Sequence, residues 1–244
     1  MLKEERQERI LEILEEENYI TANKLAKTLY ASLPTIRRDL NELARKELII
    51  RNHGGAKKVD SEKAVMPVEF RKTINYKQKR KLCEKASSLI KDNSLIFIDA
   101  STTTLQMTEY LNASSQITVV TNSLLVSTIL TKKGIKNFLT GGEMQQNSMC
   151  YAGVFAENFI RQFNFNLAFF SCHGVDENNN IVDTSLAETS LRRILLSQTD
   201  KSIFLCDSSK FGAKAPYNLT NLNEIDVIVT DKLDLNLQNA LLVK

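Results

Sequence analysis

Ser32, Pro34, Thr35, Arg37, Arg38 and Asn41 fall in one short stretch whose apolar residues, Ile36, Leu40 and Leu43, recur at helical spacing. On a helix those three make a buried stripe. Pro34, Arg38 and Asn41 then lie on the far face, with Thr35 and Arg37 at its flanks. The chemistry open to such a face is recognition of a polyanion with ordered bases. Arginine can form a bidentate pair to guanine, and hydroxyls and backbone amides can reach phosphate oxygens. Further on, Arg51, His53 and Lys57 stand where a short hairpin would carry them along a phosphate backbone.

A second set lies in the rest of the chain, where polar clusters follow five apolar runs. They are Asp99-Ala100-Ser101-Thr102-Thr103-Thr104, Thr121-Asn122-Ser123, Thr140-Gly141-Gly142, Ser171-Cys172-His173-Gly174-Val175-Asp176 and Asp207-Ser208-Ser209-Lys210. Glu188 follows Ser185 at the spacing of a capping box. Hydroxyls and amides opening a helix suit a phosphate, and together with carboxylates and one lysine the set suits a phosphorylated polyol. Each cluster also has a plain alternative. Ser/Thr runs cap helices, Asp207-Ser208-Ser209 fits an Asx turn, and a lone loop lysine is often solvated.

The elements that must position these residues follow from pattern. Ile10, Ile13 and Leu14 predict a helix over roughly Lys3–Glu17. Thr21 is placed to cap a second helix that buries Leu25, Ala26 and Leu29, and Ser32 to cap a third with Pro34 in its first turn. The connection Tyr30–Ser32 is so short that the last two make a helix-turn-helix. Leu48–Arg51 and Ala56–Val59 read as strands around an Asn52–Gly55 turn, a wing. Asp60–Pro67 reads as a boundary and Glu69–Lys91 as a basic helix. Strands are expected at Leu95–Ile98, Ile117–Val120, Asn137–Leu139, Leu167–Ser171, Ser202–Leu205 and Asp226–Val229. Helices are expected near Thr104–Leu111, Leu124–Leu130, Val154–Phe163, Leu186–Ser197 and Leu235–Leu242. Such alternation predicts a parallel α/β sheet, whose ligands bind outside the strands' carboxyl ends. The domains expected are 1–59, a basic joining segment 60–81, and 82–244.

Composition bounds the answer. Apolar residues are 43% and charged residues 25%, the balance of a folded globular protein. The net charge of +3 hides a basic stretch, residues 24–58, with nine basic and three acidic side chains. A basic N-terminal third on a mildly acidic body points to a nucleic-acid module joined to a second binding function. No apolar window is long enough for a membrane span, and MLKEERQERI has no signal-peptide character. Cys83, Cys150, Cys172 and Cys206 are scattered without metal-ligand spacing, so reduced thiols in a cytoplasmic protein are expected, with no metal and no cofactor.

Three runs carry a family resemblance: Glu5-Arg6-x3-Ile10-x3-Leu14, Ser32-x-x-Thr35-Ile36-Arg37-Arg38-Asp39-Leu40 and Arg51-x-His53-Gly54-Gly55-Ala56. They resemble the N-terminal signature of the DeoR family of bacterial repressors of sugar metabolism. Ala31 stands where the family usually has valine. The runs Asp99-x-Ser101-Thr102-Thr103, Thr121-Asn122-Ser123, Gly141-Gly142, Gly174-Val175-Asp176, Glu188 and Asp207-Ser208-Ser209-Lys210-Phe211-Gly212 resemble the family's effector domain. Ser101 replaces a frequent glycine. The resemblance implies an α/β chain in which a winged helix-turn-helix is joined to a Rossmann-like parallel-sheet domain related to ribose-5-phosphate isomerase. It further implies that Ser101–Thr103 hold a sugar phosphate, with Asp176, Glu188 and Lys210 at its hydroxyl or carbonyl end.

The expected function is repression of a carbohydrate operon, released by a phosphorylated sugar, by a homo-oligomer (dimer or tetramer) on double-stranded operator DNA. An activator has the same features. An isomerase with an attached DNA domain is the alternative from another class, since carboxylates and a lysine also suit proton abstraction beside a carbonyl. Cys172 and His173 are neighbours in an extended run and point to opposite sides, so no cysteine nucleophile is expected. Glu143–Tyr151 is expected as an open loop lining the effector site.

Overall fold

A computed structural model describes residues 2–17, 19–45, 48–52, 54–58, 68–232 and 239–242. Packing groups the chain into two compact units, Met1–Ile74 and Asn75–Lys244.

In the first unit, α1 (Lys3–Glu17) leads into β1 (Tyr19–Thr21), α2 (Ala22–Thr28), α3 (Leu33–Arg45), β2 (Ile49–Asn52), β3 (Gly55–Lys58) and a one-turn α4 (Val68–Arg71). The Thr21 Oγ1 accepts from the Lys24 N–H at 3.2 Å, the cap expected there. The Ser32 Oγ accepts from the Thr35 N–H at 3.2 Å and starts α3 in the same way. Ile10, Leu14, Leu25, Leu29, Ile36, Leu40 and Leu43 share one core. The expected hairpin forms as β2 and β3, and β1, which the sequence pattern did not reveal, pairs with β3 to make a sheet ordered β1-β3-β2. Three residues are too short for a period to show. Between α2 and α3, Tyr30 adopts a left-handed φ of 50°, which costs a non-glycine residue roughly 1–2 kcal/mol.

The helix expected over 69–91 is interrupted. Lys72–Asn75 turn, and α5 spans only Tyr76–Ser87. Asn75 sits at φ 53°, a left-handed conformation that asparagine tolerates better than most residues and that no helix interior accepts.

From α5 the second unit continues through β4 (Leu95–Ile98), a 3-10 helix (Thr104–Glu109), β5 (Thr118–Thr121), α6 (Leu124–Lys132), β6 (Asn137–Leu139), β7 (Glu143–Gln145), β8 (Cys150–Ala152) and α7 (Val154–Ile160). It closes with β9 (Leu167–Phe170), β10 (Gly174–Val175), β11 (Asn180–Asp183), α8 (Leu186–Ser197), β12 (Ser202–Cys206), β13 (Tyr217–Asn221), β14 (Val227–Thr230) and β15 (Ala240–Leu242). Seven strands form one sheet in the order β15-β14-β12-β9-β4-β5-β6, and the registers between neighbours are all parallel. Side chains alternate through it. Ile96, Ile98, Val119, Phe169, Ile203 and Leu205 pack with Leu82 and Cys83 of α5 and Val126 and Leu130 of α6. On the opposite face Phe97, Val120 and Ala168 meet α7 and α8, while Phe170, Phe204 and Ile228 meet the antiparallel sheet β10-β11-β13.

Three further expectations change. The helix near Thr104–Leu111 is a 3-10 helix ending at Glu109. The open loop Glu143–Tyr151 is the antiparallel hairpin β7–β8. Of the helix expected over Leu235–Leu242, residues 235–238 lie outside the described residues, and Ala240–Leu242 pair with β14 as a parallel strand. A short apolar run fits either element, and here the open edge of β14 supplies hydrogen-bond partners that a lone helical turn lacks. No helix among the described residues is long and apolar enough to cross a membrane.

Candidate functional site

The first unit presents α3 as expected. Ile36, Leu40 and Leu43 are buried, while Pro34, Arg37, Arg38 and Asn41 are exposed. Ser32 and Thr35 hydrogen-bond through their hydroxyls at 2.7 Å. Among the described residues neither Arg37 nor Arg38 has an ion-pair partner, so both guanidiniums face water. Asp39, in the middle of the same run, is buried at 1% exposure and pairs with Arg6, whose Nε lies 2.5 Å from Oδ2. That residue is part of the scaffold: it ties α3 to α1. Arg51 on β2 and Lys57 on β3 are half-buried, and the Arg51 Nη1 is buried without a hydrogen-bond partner among the described residues. His53 lies outside the described residues.

In the second unit the polar clusters gather at the carboxyl ends of adjacent strands, so that Asp207, Ser171, Asp99 and Asn122 follow one another along β12, β9, β4 and β5. Asp99 organises the centre. Its Oδ1 accepts from the Ser101 N–H (3.0 Å) and the Thr104 hydroxyl (2.6 Å), and its Oδ2 from the Ser171 N–H (3.2 Å). Ser101 caps the 3-10 helix through the Thr104 N–H at 3.0 Å. The Ser101–Thr104 loop is thus fixed before any ligand arrives.

Two ammonium groups flank it. The Lys210 Nζ donates to Ser171 Oγ at 2.7 Å and to Cys172 O at 3.0 Å, with Thr103 Oγ1 at 3.4 Å. The Lys79 Nζ donates to Thr102 Oγ1 at 3.1 Å. Lys79 is 4% exposed and was not foreseen. Its signal was legible: it shares one helical stripe with Leu82, Cys83 and Ala86, and a lysine on a buried stripe needs a reason. Helix α5 is held against the loop by the Cys83 thiol on Thr103 O at 3.0 Å and by Arg80 and Tyr76, both on Glu109 at 2.9 Å.

A buried charge cluster lies behind the loop. Arg192, 4% exposed, contacts Asp99, Asp183 (2.9 Å) and Glu188 (3.1 Å). Burial opposes its charge, but the carboxylates of Asp183, Asp99 and Glu188 outweigh that and hold its pKa well above the ordinary value. Glu188 does not complete a capping box. Ser185 Oγ caps its N–H at 3.3 Å, while its own carboxylate takes Arg192 and, through Oε1, the Ser148 hydroxyl at 2.9 Å. Ser148 comes from the β7–β8 hairpin, so that segment reaches the site.

The other expected residues divide. Asp207 accepts from the Asn75 amide and the Ser209 N–H, both at 3.2 Å, through Oδ1, an Asx turn, while its Oδ2 is buried without a partner among the described residues. Asn122 donates to Tyr151 O, and its Oδ1 is likewise buried and unpartnered. Thr121 bonds Ile98 O, and Ser123 caps α6. Gly142 is demanded by packing, since a Cβ there would lie 2.6 Å from Ala152 O at a φ of 109°; Gly141 shares its left-handed backbone. Asp176 is not brought into the cluster by any hydrogen bond: it accepts from Asn178 and Asn180 within its own turn, and the Asn180 bonds hold its carboxyl below the usual range. Cys172 is buried, which pushes its thiol well above the ordinary range, the state of an inert sulfur.

Two family models account for these two arrangements. A DeoR-like helix-turn-helix domain matches residues 6–62, and a DeoR C terminal sensor domain matches 74–232. The chain belongs to the DeoR family and is a DNA-binding transcriptional regulator. It is 34% identical over 228 residues to the L-fucose operon activator of Haemophilus influenzae, covering 93% of this chain and 91% of that one. It is 30% identical over 232 residues to the glycerol-3-phosphate regulon repressor of Escherichia coli, covering 95% and 92%. Ribose 5-phosphate isomerase A from Methanocaldococcus jannaschii is similar over 56% of this chain and 55% of its own, at a TM-score of 0.42 and 15% identity.

Proposed function

We propose that the chain represses a carbohydrate-utilisation operon and is released from its operator by a phosphorylated sugar. One observation carries the effector reading: two lysines from distant parts of the chain, Lys79 and Lys210, converge on the hydroxyls of Thr102 and Thr103 in a loop preset by Asp99. Two ammonium groups and a row of hydroxyls match the charge and acceptors of a phosphate monoester. The unpartnered oxygens of Asn122 and Asp207 accept from sugar hydroxyls in this reading, with Glu188 at the far end of the ligand.

Residues 1–59 read DNA, and 82–244, joined by Asn75 and Lys79 from the segment 60–81, sense the effector. The chain acts in the cytoplasm as a homo-oligomer, dimer or tetramer, because operators mirror protein symmetry. The sugar phosphate binds the DNA-competent state less well than the alternative, and a near-complete switch needs roughly a 10⁴-fold preference between states. Binding without turnover is favoured over isomerase chemistry because both Glu188 oxygens are already engaged, by Ser148 and Arg192, so this carboxylate is not free to take a substrate proton.

The test is fluorescence anisotropy of the DNA upstream of its own transcription unit, titrated with protein with and without pooled sugar phosphates. Salt-sensitive binding that the pool weakens supports the reading. Binding that the pool strengthens makes the protein an activator or a co-repressed regulator, and interconversion of any sugar phosphate in the pool restores the isomerase.

A further inference from the structure

The turn between α2 and α3 is a Schellman motif closed by a residue poorly suited to it. The Ala31 N–H donates to Ala26 O at 3.0 Å and the Tyr30 N–H to Lys27 O at 3.4 Å, the paired bonds that end a helix whose C-cap is Leu29. Ala26 and Ala31 both pack against the unit's core, the apolar contact that accompanies this motif. Such a turn needs a left-handed residue just before Ala31, and glycine adopts that conformation without a Cβ penalty. The chain places Tyr30 there at φ 50°.

Among the described residues no contact of the Tyr30 side chain compensates. The Tyr30 side chain is 98% exposed, so its ring gains no burial, and among the described residues its hydroxyl has no hydrogen-bond partner. Strained residues of this kind persist where function uses them. Tyr30 stands two residues before Ser32, the cap of the helix whose exposed face carries Pro34, Arg37, Arg38 and Asn41.

We infer that Tyr30 is a DNA-backbone contact. With α3 in the major groove, its ring lies against a deoxyribose and its phenolic O–H donates to a phosphate oxygen beside the bases that α3 reads. Tyrosine suits this place because it joins an apolar body to a polar tip and loses little rotamer freedom on binding. A backbone contact carries no sequence information, so it strengthens binding to operator and to unrelated DNA alike. A neutral phenol releases no counterion, so it leaves the salt dependence unchanged.

The test uses the full chain, without sugar phosphates, on its upstream DNA and on a random duplex of equal length. Tyr30→Gly relieves the backbone and removes the ring. It is expected to raise the thermal midpoint while weakening binding to both duplexes about tenfold, the size of one hydrogen bond to a charged group. The ratio between duplexes and the salt slope stay as in the parent. Tyr30→Phe keeps the ring but removes the hydrogen bond to the charged phosphate, and is expected to show most of that tenfold loss on both. Parental affinity in Tyr30→Gly overturns the inference and makes the residue a turn former only. A loss confined to the operator overturns the backbone assignment in favour of base reading. Weaker binding with a lower mass in analytical ultracentrifugation places Tyr30 between copies of the chain instead.

Discussion

The Arg192 guanidinium grips Asp99 across 93 residues of sequence, with Nε at 3.1 Å and Nη2 at 3.0 Å from the same Oδ2 oxygen. Through Asp99 it reaches the Ser101–Thr104 loop, and through Asp183 and Glu188 it neutralises part of a cluster that is otherwise all acidic. Removing one partner of a buried ionic network leaves uncompensated charge and costs about 3–5 kcal/mol. Arg192→Met is therefore expected to lower the unfolding free energy of the second unit by that amount, read as a lower urea midpoint, and Arg192→Lys, which keeps the charge but loses the fork, by less. An unchanged midpoint in Arg192→Met would show that the carboxylates need no counter-charge.

Lys79→Met and Lys210→Met keep the side-chain volume and remove the ammonium. Each is expected to leave operator affinity unchanged and to raise the sugar-phosphate concentration for half-release by roughly 10-fold or more, the strength of one charge-assisted hydrogen bond. Anisotropy titrations at fixed DNA read this directly, and a parental half-release point in either variant removes that lysine from the site.

Arg38→Ala should leave the melting curve intact because the side chain is exposed and has no ion-pair partner among the described residues. Its preference for operator over random DNA is expected to fall by about 1–3 kcal/mol, one bidentate base contact. Competition binding with both duplexes checks it, and a preserved preference would assign base reading to other residues of α3.

Asp39→Ala tests the opposite face of the same helix. It removes the ion pair that ties α3 to α1 and is expected to destabilise the first unit by about 2 kcal/mol in a circular-dichroism melt. A variant that melts normally yet fails on DNA would place Asp39 at the interface.

Burial pushes the Cys206 thiol up to about 12 and the Cys172 thiol well above its ordinary value. A raised thiol pKa leaves the protonated, unreactive form dominant below it. At pH 8 iodoacetamide is therefore expected to leave both residues unlabelled in the folded chain and to label both in urea, as read by mass spectrometry.

The winged unit and the parallel sheet were legible because Ile36, Leu40 and Leu43 repeat at helical spacing and because runs such as Leu95–Ile98 are continuous and apolar. The strands that escaped are too short to carry a period: Gly174–Val175 is two residues, and it exists because Val182 and Ile181 lie opposite it. The loop chemistry at Asp99, Ser101–Thr103 and Lys210 was readable from clustering at strand ends. Arg192 and Asp183 were not. Each looks like an ordinary charged residue in sequence, and only the fold brings Asp99 beside them. Lys79 carried a signal in the helical stripe it shares with Leu82, Cys83 and Ala86, but it and Asn75 sit in a segment so rich in lysine that one buried cation did not stand out.

Helix α3 divides its labour between two sides, with Ile36, Asp39, Leu40 and Leu43 turned inward and Pro34, Arg37, Arg38 and Asn41 turned outward. Substitutions on the outer side leave the buried stripe untouched, so if that side reads DNA as proposed, new DNA preferences can be acquired without eroding the fold. Duplicated copies of such a regulator can diverge toward different operators while inheriting the same scaffold unchanged.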